Sequence, residues 1–313
     1  MPPTRRQALQ MSGATILAAL AGCATNPFES AEPPSEYSLT VESIDASPVE
    51  YALYEPDDGV LFGTPARNAL DDILPDGRHT SYGYKPLPSD AYVTHDESYY
   101  ETEHVVTGRT QMKRQLVRVD PLPKEEVPDD AVVIDTLDQP SSRPLKILHS
   151  YTQSNGETSN TELLHGDAYV LRRPAERGSR LATGDLAGRV VKMTDSGTWA
   201  YRVRVTREPV VETAYTALAI KVADSRSQFR DVVFGSRIDT ELTPTDLPTA
   251  ARDLLNKVIA QEPYTETAPL SDAYETVLEA LGLGAVDTIV NGQLLWYDDA
   301  VYRYGLYVNP PSS

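Results

Sequence analysis

The side chains able to do chemistry are few. One cysteine, Cys23, and five histidines, His79, His95, His104, His149 and His165, stand among 46 Asp and Glu. The densest polar group is His95, Asp96, Glu97, Glu101, Glu103 and His104. Imidazole with carboxylate suits zinc or manganese, and a hairpin turning at His95-Asp96 would bring His95 near the next strand. On that strand Glu103 and His104 point to opposite faces, so a solvated acidic hairpin is the competing reading. His95 and His104 are the candidate ligands; no metal or other cofactor is assigned. A second group is aromatic: Trp296, Tyr297, Tyr302, Tyr304 and Tyr307. Tyr302 and Tyr304 share a strand face, and with Trp296 they make a candidate platform for stacking a sugar or peptide. Core filling or edge protection is the alternative. Gly-x-Ser-x-Gly, His-Glu-x-x-His, Ser-x-x-Lys, P-loop and Gly-x-Gly-x-x-Gly patterns are all absent, and no catalytic residue is assigned. Paired carboxylates carry no signal in so acidic a chain, because any fold brings many together.

The start of the chain is more informative. Arg5 and Arg6 form a short basic head, an apolar stretch runs from Met11 to Leu20, and Leu20-Ala21-Gly22-Cys23 closes it. These are the three parts of an export signal, and the apolar part is too short to span a bilayer core of roughly 30 Å. Thr4-Arg5-Arg6-Gln7-Ala8-Leu9 resembles the twin-arginine signal, which sends folded proteins across the membrane. Leu20-Ala21-Gly22-Cys23 resembles the lipobox of exported lipoproteins, whose cysteine is lipidated and becomes the mature N-terminus. The resemblance covers residues 1–23. It implies that Arg5 and Arg6 are recognised by the twin-arginine translocase. It also implies that lipid on Cys23 holds the protein at the extracytoplasmic face of the membrane. Two acyl chains are expected, since one anchors only marginally.

Composition points the same way. With 28 Lys and Arg the formal charge is −18, which disfavours nucleic acid as a partner because phosphates are repelled. Loss of residues 1–22 would remove Arg5 and Arg6 and no acid, leaving −20. Seven lysines stand against twenty-one arginines. An acidic, lysine-poor chain behind such a signal resembles the exported proteins of haloarchaea. In molar salt the Debye length is about 3 Å, so dense carboxylates barely repel one another. A surface made for cations or a basic partner is the alternative; the spread of acids along the whole chain favours adaptation to salt.

The pattern along the chain is α+β and β-rich, with antiparallel meanders, a few short helices and a candidate internal duplication. A signal peptide is expected over 1–22, a lipidated terminus and proline-rich tether over 23–36, and a first α+β unit over 37–120. A linker over 121–130, a larger α+β region over 131–308 and a tail over 309–313 complete the chain. Strands are expected at Tyr37–Ile44, Pro48–Tyr54, Gln115–Val119 and Val210–Val222. Hairpins are expected around His95-Asp96 and Asp195-Ser196-Gly197, and a final meander turns at Asn291-Gly292 and Asp298-Asp299. Helices are expected after Thr64-Pro65, after Asp246, and from Ser271 to a stop at Gly282. The duplication would align Asp90–Tyr100 with Asp287–Tyr297. The functional expectation is a lipid-anchored, non-catalytic surface module that binds or scaffolds an unknown ligand or protein. A transporter's solute-capturing lipoprotein and a surface hydrolase with dispersed carboxylates are the alternatives.

Overall fold

The computed structural model describes residues 34–157, 161–194, 199–261 and 263–309. Arg5, Arg6, Leu20, Ala21, Gly22 and Cys23 lie outside them, as do most of the 23–36 tether, the turn Asp195-Ser196-Gly197 and residues 310–313. The fold is α+β and β-rich. Strand β1 (Glu36–Ile44) is followed by α1 (Pro48–Ala52) and α2 (Gly63–Ile73). Then come β2 (His79–Tyr82), β3 (Tyr92–His95) and a 25-residue strand, β4 (Ser98–Leu122). A compact segment follows: β5 (Val132–Val133), α3 (Gln139–Gln153), β6 (Leu164–His165), β7 (Ala168–Val170), α4 (Pro174–Arg177), α5 (Arg180–Thr183) and β8 (Val190–Lys192). The second long strand, β9 (Ala200–Ala223), leads to α6 (Arg226–Ser236), β10 (Thr240–Leu242), α7 (Thr249–Ala260) and β11 (Tyr264–Thr267). Helix α8 (Asp272–Ala280), β12 (Ile289–Tyr297) and β13 (Ala300–Asn309) end the described chain.

One sheet has the order β10-β12-β13-β1-β11. Alternation in β1 buries Leu39 and Val41, which face Leu255 and Val258 of α7 and Tyr274 and Val277 of α8. The second sheet has the order β5-β8-β9-β4-β7-β6, with β2 on β9 and β3 on β4. Its spine is the β4–β9 ribbon, antiparallel from Tyr99↔Ala223 to Leu122↔Ala200. At roughly 3.3 Å per residue this ribbon is about 75 Å long, longer than one hydrophobic core can cover. Separate cores therefore pack along it. At one end Tyr99 stacks on Phe229 of α6 with centroids 4.3 Å apart. Beside this, α2 sets Ala66, Ala69 and Ile73 against Ala217. At the other end Leu145 and Leu148 of α3 meet Val117, Tyr169, Leu181 and Val203.

Several elements differ from expectation. Pro48–Ala52 is helical, because Ser47 and Glu50 close a reciprocal capping box with Pro48 in the first turn. Gln115–Val119 and Val210–Val222 are parts of the two long strands, and β4 continues two residues into the expected 121–130 linker. Asp246 accepts from the amide and hydroxyl of Thr243 and closes a turn before α7, whose first residue follows Pro248. Asn291 and Gly292 form a bulge within β12, opposite Gly305, where a Cβ would lie 2.9 Å from the Val290 carbonyl. The turn at Asp298-Asp299 forms, and the hairpin expected at His95-Asp96 turns one residue later, at Asp96-Glu97; each turn has two positive φ values. Asp90–Tyr100 is a hairpin whereas Asp287–Tyr297 ends in one continuous strand, so the proposed duplicate segments are not structural counterparts. The expected units also interleave: β1 pairs with β11 and β13, and β4 pairs with β9 along its length.

Candidate functional site

The candidate histidines do not meet. His95 pairs with Ser98 in the hairpin, and His104 lies six residues farther along β4, roughly 20 Å away. His95 Nε2 is 3.4 Å from Asp96 Oδ2 on an exposed turn. His104 sits beside Ala217, across from His79, with both ring nitrogens buried and unbonded. Burial and the positive charge of Lys85 lower its pKa, only partly offset by Glu103. Among the described residues no group of three or more His, Cys, Asp or Glu could hold a metal.

The aromatic platform does not assemble either. Tyr304 is core: its hydroxyl donates to the Leu281 carbonyl at 2.9 Å and lies 2.9 Å from Thr240 Oγ1. Tyr302 packs on the same apolar cluster. Trp296 pairs with Val301 and projects from the opposite face, where it meets Phe234 at 5.4 Å, with Arg230 above it.

What the fold does assemble is a cluster of cations midway along the ribbon. Arg114 on β4 and Glu212 on β9 lie on its inner face; the Leu171-Arg172-Arg173-Pro174 segment arrives from β7. Proline at the first position of α4 favours extended backbone at Arg173 and lets the helix begin there. Glu212, nearly sealed from solvent at 2 % exposure, accepts from Arg114 Nε at 3.0 Å and from Arg172 Nε at 3.0 Å. Arg114 also donates to the Tyr82 carbonyl, and Arg172 to the carbonyls of Glu162 and Leu163. Those extra acceptors satisfy donors that a single carboxylate leaves over, as a buried ion cluster requires. Gly83 closes the frame. Its φ is +77°, and a Cβ there would collide with Glu212 Oε2 and Arg172 Nε.

A second buried carboxylate, Glu176, fixes the neighbouring helix. It accepts from the Tyr169 hydroxyl at 2.6 Å and from the amides of Arg172 and Arg173 at 2.9 Å. Arg143 donates to the same tyrosine at 2.7 Å. Burial, followed by the charge of Glu176, pushes the Tyr169 phenol far up, so it serves as a donor and not as an anion.

Arg173 is held differently. Its guanidinium lies over Phe62 at 4.6 Å and over Tyr84 at 4.9 Å. Among the described residues no carboxylate pairs with it. Burial lowers its pKa, opposed mainly by the charge of Glu176. The ammonium of Lys85 lies 5.7 Å from the ring centre of Tyr215, likewise with no carboxylate partner among the described residues. Arg173, Lys85, Tyr84, Tyr215 and Glu162 line one cavity of about 290 Å³. Across Tyr84 is a second, of about 240 Å³, reached by Arg114, Arg172 and Arg177. Other surface cations pair with acids, as Arg118 does with Asp167 and Glu208 and Arg204 with Asp120. Arg230 and Arg237 also lie over rings, on Phe234 and Tyr92. Sequence reasoning passed over this cluster, although Arg172-Arg173-Pro174-Ala175-Glu176-Arg177 is a local excess of arginine in an acidic chain.

Compared with family models, with curated proteins and with solved structures, the chain matches none of them.

Proposed function

We propose that the protein is an exported, lipid-anchored module that captures a ligand at the outer face of the membrane without transforming it. Arg5 and Arg6 serve export, and Cys23 carries the lipid. The observation that supports capture most strongly is the cavity lined by Arg173 and Lys85, two cations set over aromatic rings and not beside acids. Concave sites with a few convergent polar groups are the usual seats of small ligands. A thermal-shift panel in molar salt tests this reading, using divalent cations with and without chelator, sugars, peptides, amino acids and small anions. A ligand that binds only the folded form raises Tm, by about 2.7 kcal/mol of stabilisation at a hundredfold excess over Kd. A saturable rise with one class supports capture. No rise with any of them would leave a scaffold that contacts only other proteins.

A second reading is a transporter's solute-capturing lipoprotein. It is favoured by the position of the cluster, where Phe62, next to α2, and Tyr84, after β2, meet Arg143 of α3 and Arg173, next to α4. Ligand-dependent association with a membrane transporter would distinguish it from a free-standing module.

A further inference from the structure

We infer that the cavity between Tyr84 and Tyr215 is a site for a small multivalent oxyanion, a phosphate or polycarboxylate, gripped by Arg173 and Lys85. This rests on the capture reading and gives it a ligand class.

Three features carry it. The first is vacancy of charge. In a chain with 46 acids and 28 bases, a partly buried guanidinium would ordinarily recruit a carboxylate. The nearest acid on the same segment, Glu176, makes its hydrogen bonds to Tyr169 and to the backbone amides of Arg172 and Arg173, and its charge acts on the Arg173 side chain through space without an ion pair. Glu162, the one acid lining the cavity, forms no ion pair with Arg173 or Lys85 among the described residues. An anion from solution would supply the direct partner that neither cation has among the described residues.

The second is construction. Arg172 and Glu212 are 8 % and 2 % exposed, and their ion pair pins the backbone on both sides of the cavity. Gly83 precedes Tyr84 and Lys85, and its amide donates to the Thr213 carbonyl at 2.9 Å, two residues before Tyr215. Arg172 precedes Arg173. One buried cluster thus sets the direction of Lys85, Tyr215 and Arg173 together, so little ordering cost is left for binding.

The third is the chemistry of the lining. Arg173 offers a planar fork of donors suited to bidentate oxyanions, and Lys85 a mobile point charge. Tyr84 and Tyr215 line the same space, and a phenol is a donor suited to further oxygens. Burial raises the pKa of Tyr84, keeping that donor protonated. The volume, about 290 Å³, admits a phosphate ester or a molecule the size of citrate.

The test is calorimetric titration of the full chain in molar potassium chloride with inorganic phosphate and with citrate, at constant ionic strength. Arg173→Gln and Lys85→Gln are the site variants, and Arg109→Gln, exposed on the ribbon, is the charge-matched control. Saturable binding of either anion is expected, weakened about tenfold or more by each site variant and unchanged by the control. Response to citrate alone identifies a polycarboxylate ligand; response to phosphate alone identifies a phosphate ester. The Lys85 variant keeps the result interpretable if Arg173→Gln disturbs packing, because Lys85 is exposed. Absence of saturable binding of both anions overturns the proposal, as does equal loss in the control. A neutral sugar or peptide that binds equally well to Arg173→Gln protein would overturn the anion site while leaving the capture reading intact.

Discussion

Glu212 balances two guanidiniums in a place that water barely reaches. Removing its charge as Glu212→Gln leaves Arg114 and Arg172 facing each other, and breaking buried pairs of this kind costs about 3–5 kcal/mol. Denaturant unfolding in molar salt checks this, with a large fall in midpoint as the expected outcome. Gly83→Ala acts on the same cluster through sterics and a positive φ, and the same assay is expected to show a loss of about 2 kcal/mol or more. His104 gives a different signature. Its folded pKa lies below the ordinary value of about 6.5, so the unfolded chain takes up the proton first. Stability is therefore complete above that value and falls as pH drops through it toward the folded pKa. His149, hydrogen-bonded to the Tyr201 hydroxyl at 2.7 Å, has its pKa lowered by burial and adds to the slope in the same direction. His104→Leu should flatten the acid side of a Tm-against-pH curve without abolishing its slope; an unchanged curve would show that His104 is already solvated.

At the scale of elements, the ribbon decides the architecture. Between its contacts with β3 and β7, β4 has no neighbouring strand on its outer edge among the described residues, and residues Val105–Gln111 are exposed. Arg109 and Lys113 along this stretch discourage pairing with another chain, as edge cations do. Hydrogen exchange should be faster in this stretch than at Tyr99–Thr102 or Leu116–Val117, where both edges or an apolar core protect the amides. Uniform protection would mean that another surface covers the edge. Ser47→Ala should cost about 1 kcal/mol, since it removes the cap of α1 and a hydrogen-bond acceptor for Arg226. That cap also shows how legibility varied. Ser47-Pro48-Val49-Glu50 carries a capping-box spacing, yet strand-like alternation over the next residues outweighed it. β1, the stripe of α2, the cap and stripe of α8 and the turn at Asp298-Asp299 were visible because those signals are local, although α2 begins at Gly63 with no side-chain cap and not after Thr64-Pro65. The ribbon was not visible. Pro209 and the bulge at Val106–Gly108 break the pattern into pieces that resemble separate strands, and only cross-strand pairing joins them. The cation cluster was hidden for a related reason, since Arg114 and Tyr215 lie on the paired long strands while Lys85 and Arg173 come from the segments after β2 and β7.

For the whole molecule, the dominant fact is charge. With −18 over the chain and exposed ion pairs such as Arg204–Asp120 and Lys221–Asp224, self-repulsion is strong in dilute buffer and screened in molar salt. Tm should rise steadily with potassium chloride, and a flat response would argue that the acids serve a partner instead. Among the described residues no helix is long and apolar enough to cross a membrane. On the proposed account, attachment depends on Cys23 and its lipid. The most direct test is fractionation of cells expressing wild-type and Cys23→Ser protein, washed in molar salt, with intact mass of the membrane-bound form. The account predicts that wild-type protein sediments with membranes as a chain beginning at a lipid-modified Cys23, while Cys23→Ser protein is released. Retention of Cys23→Ser protein in washed membranes, or a membrane-bound form with unmodified Cys23, would contradict it.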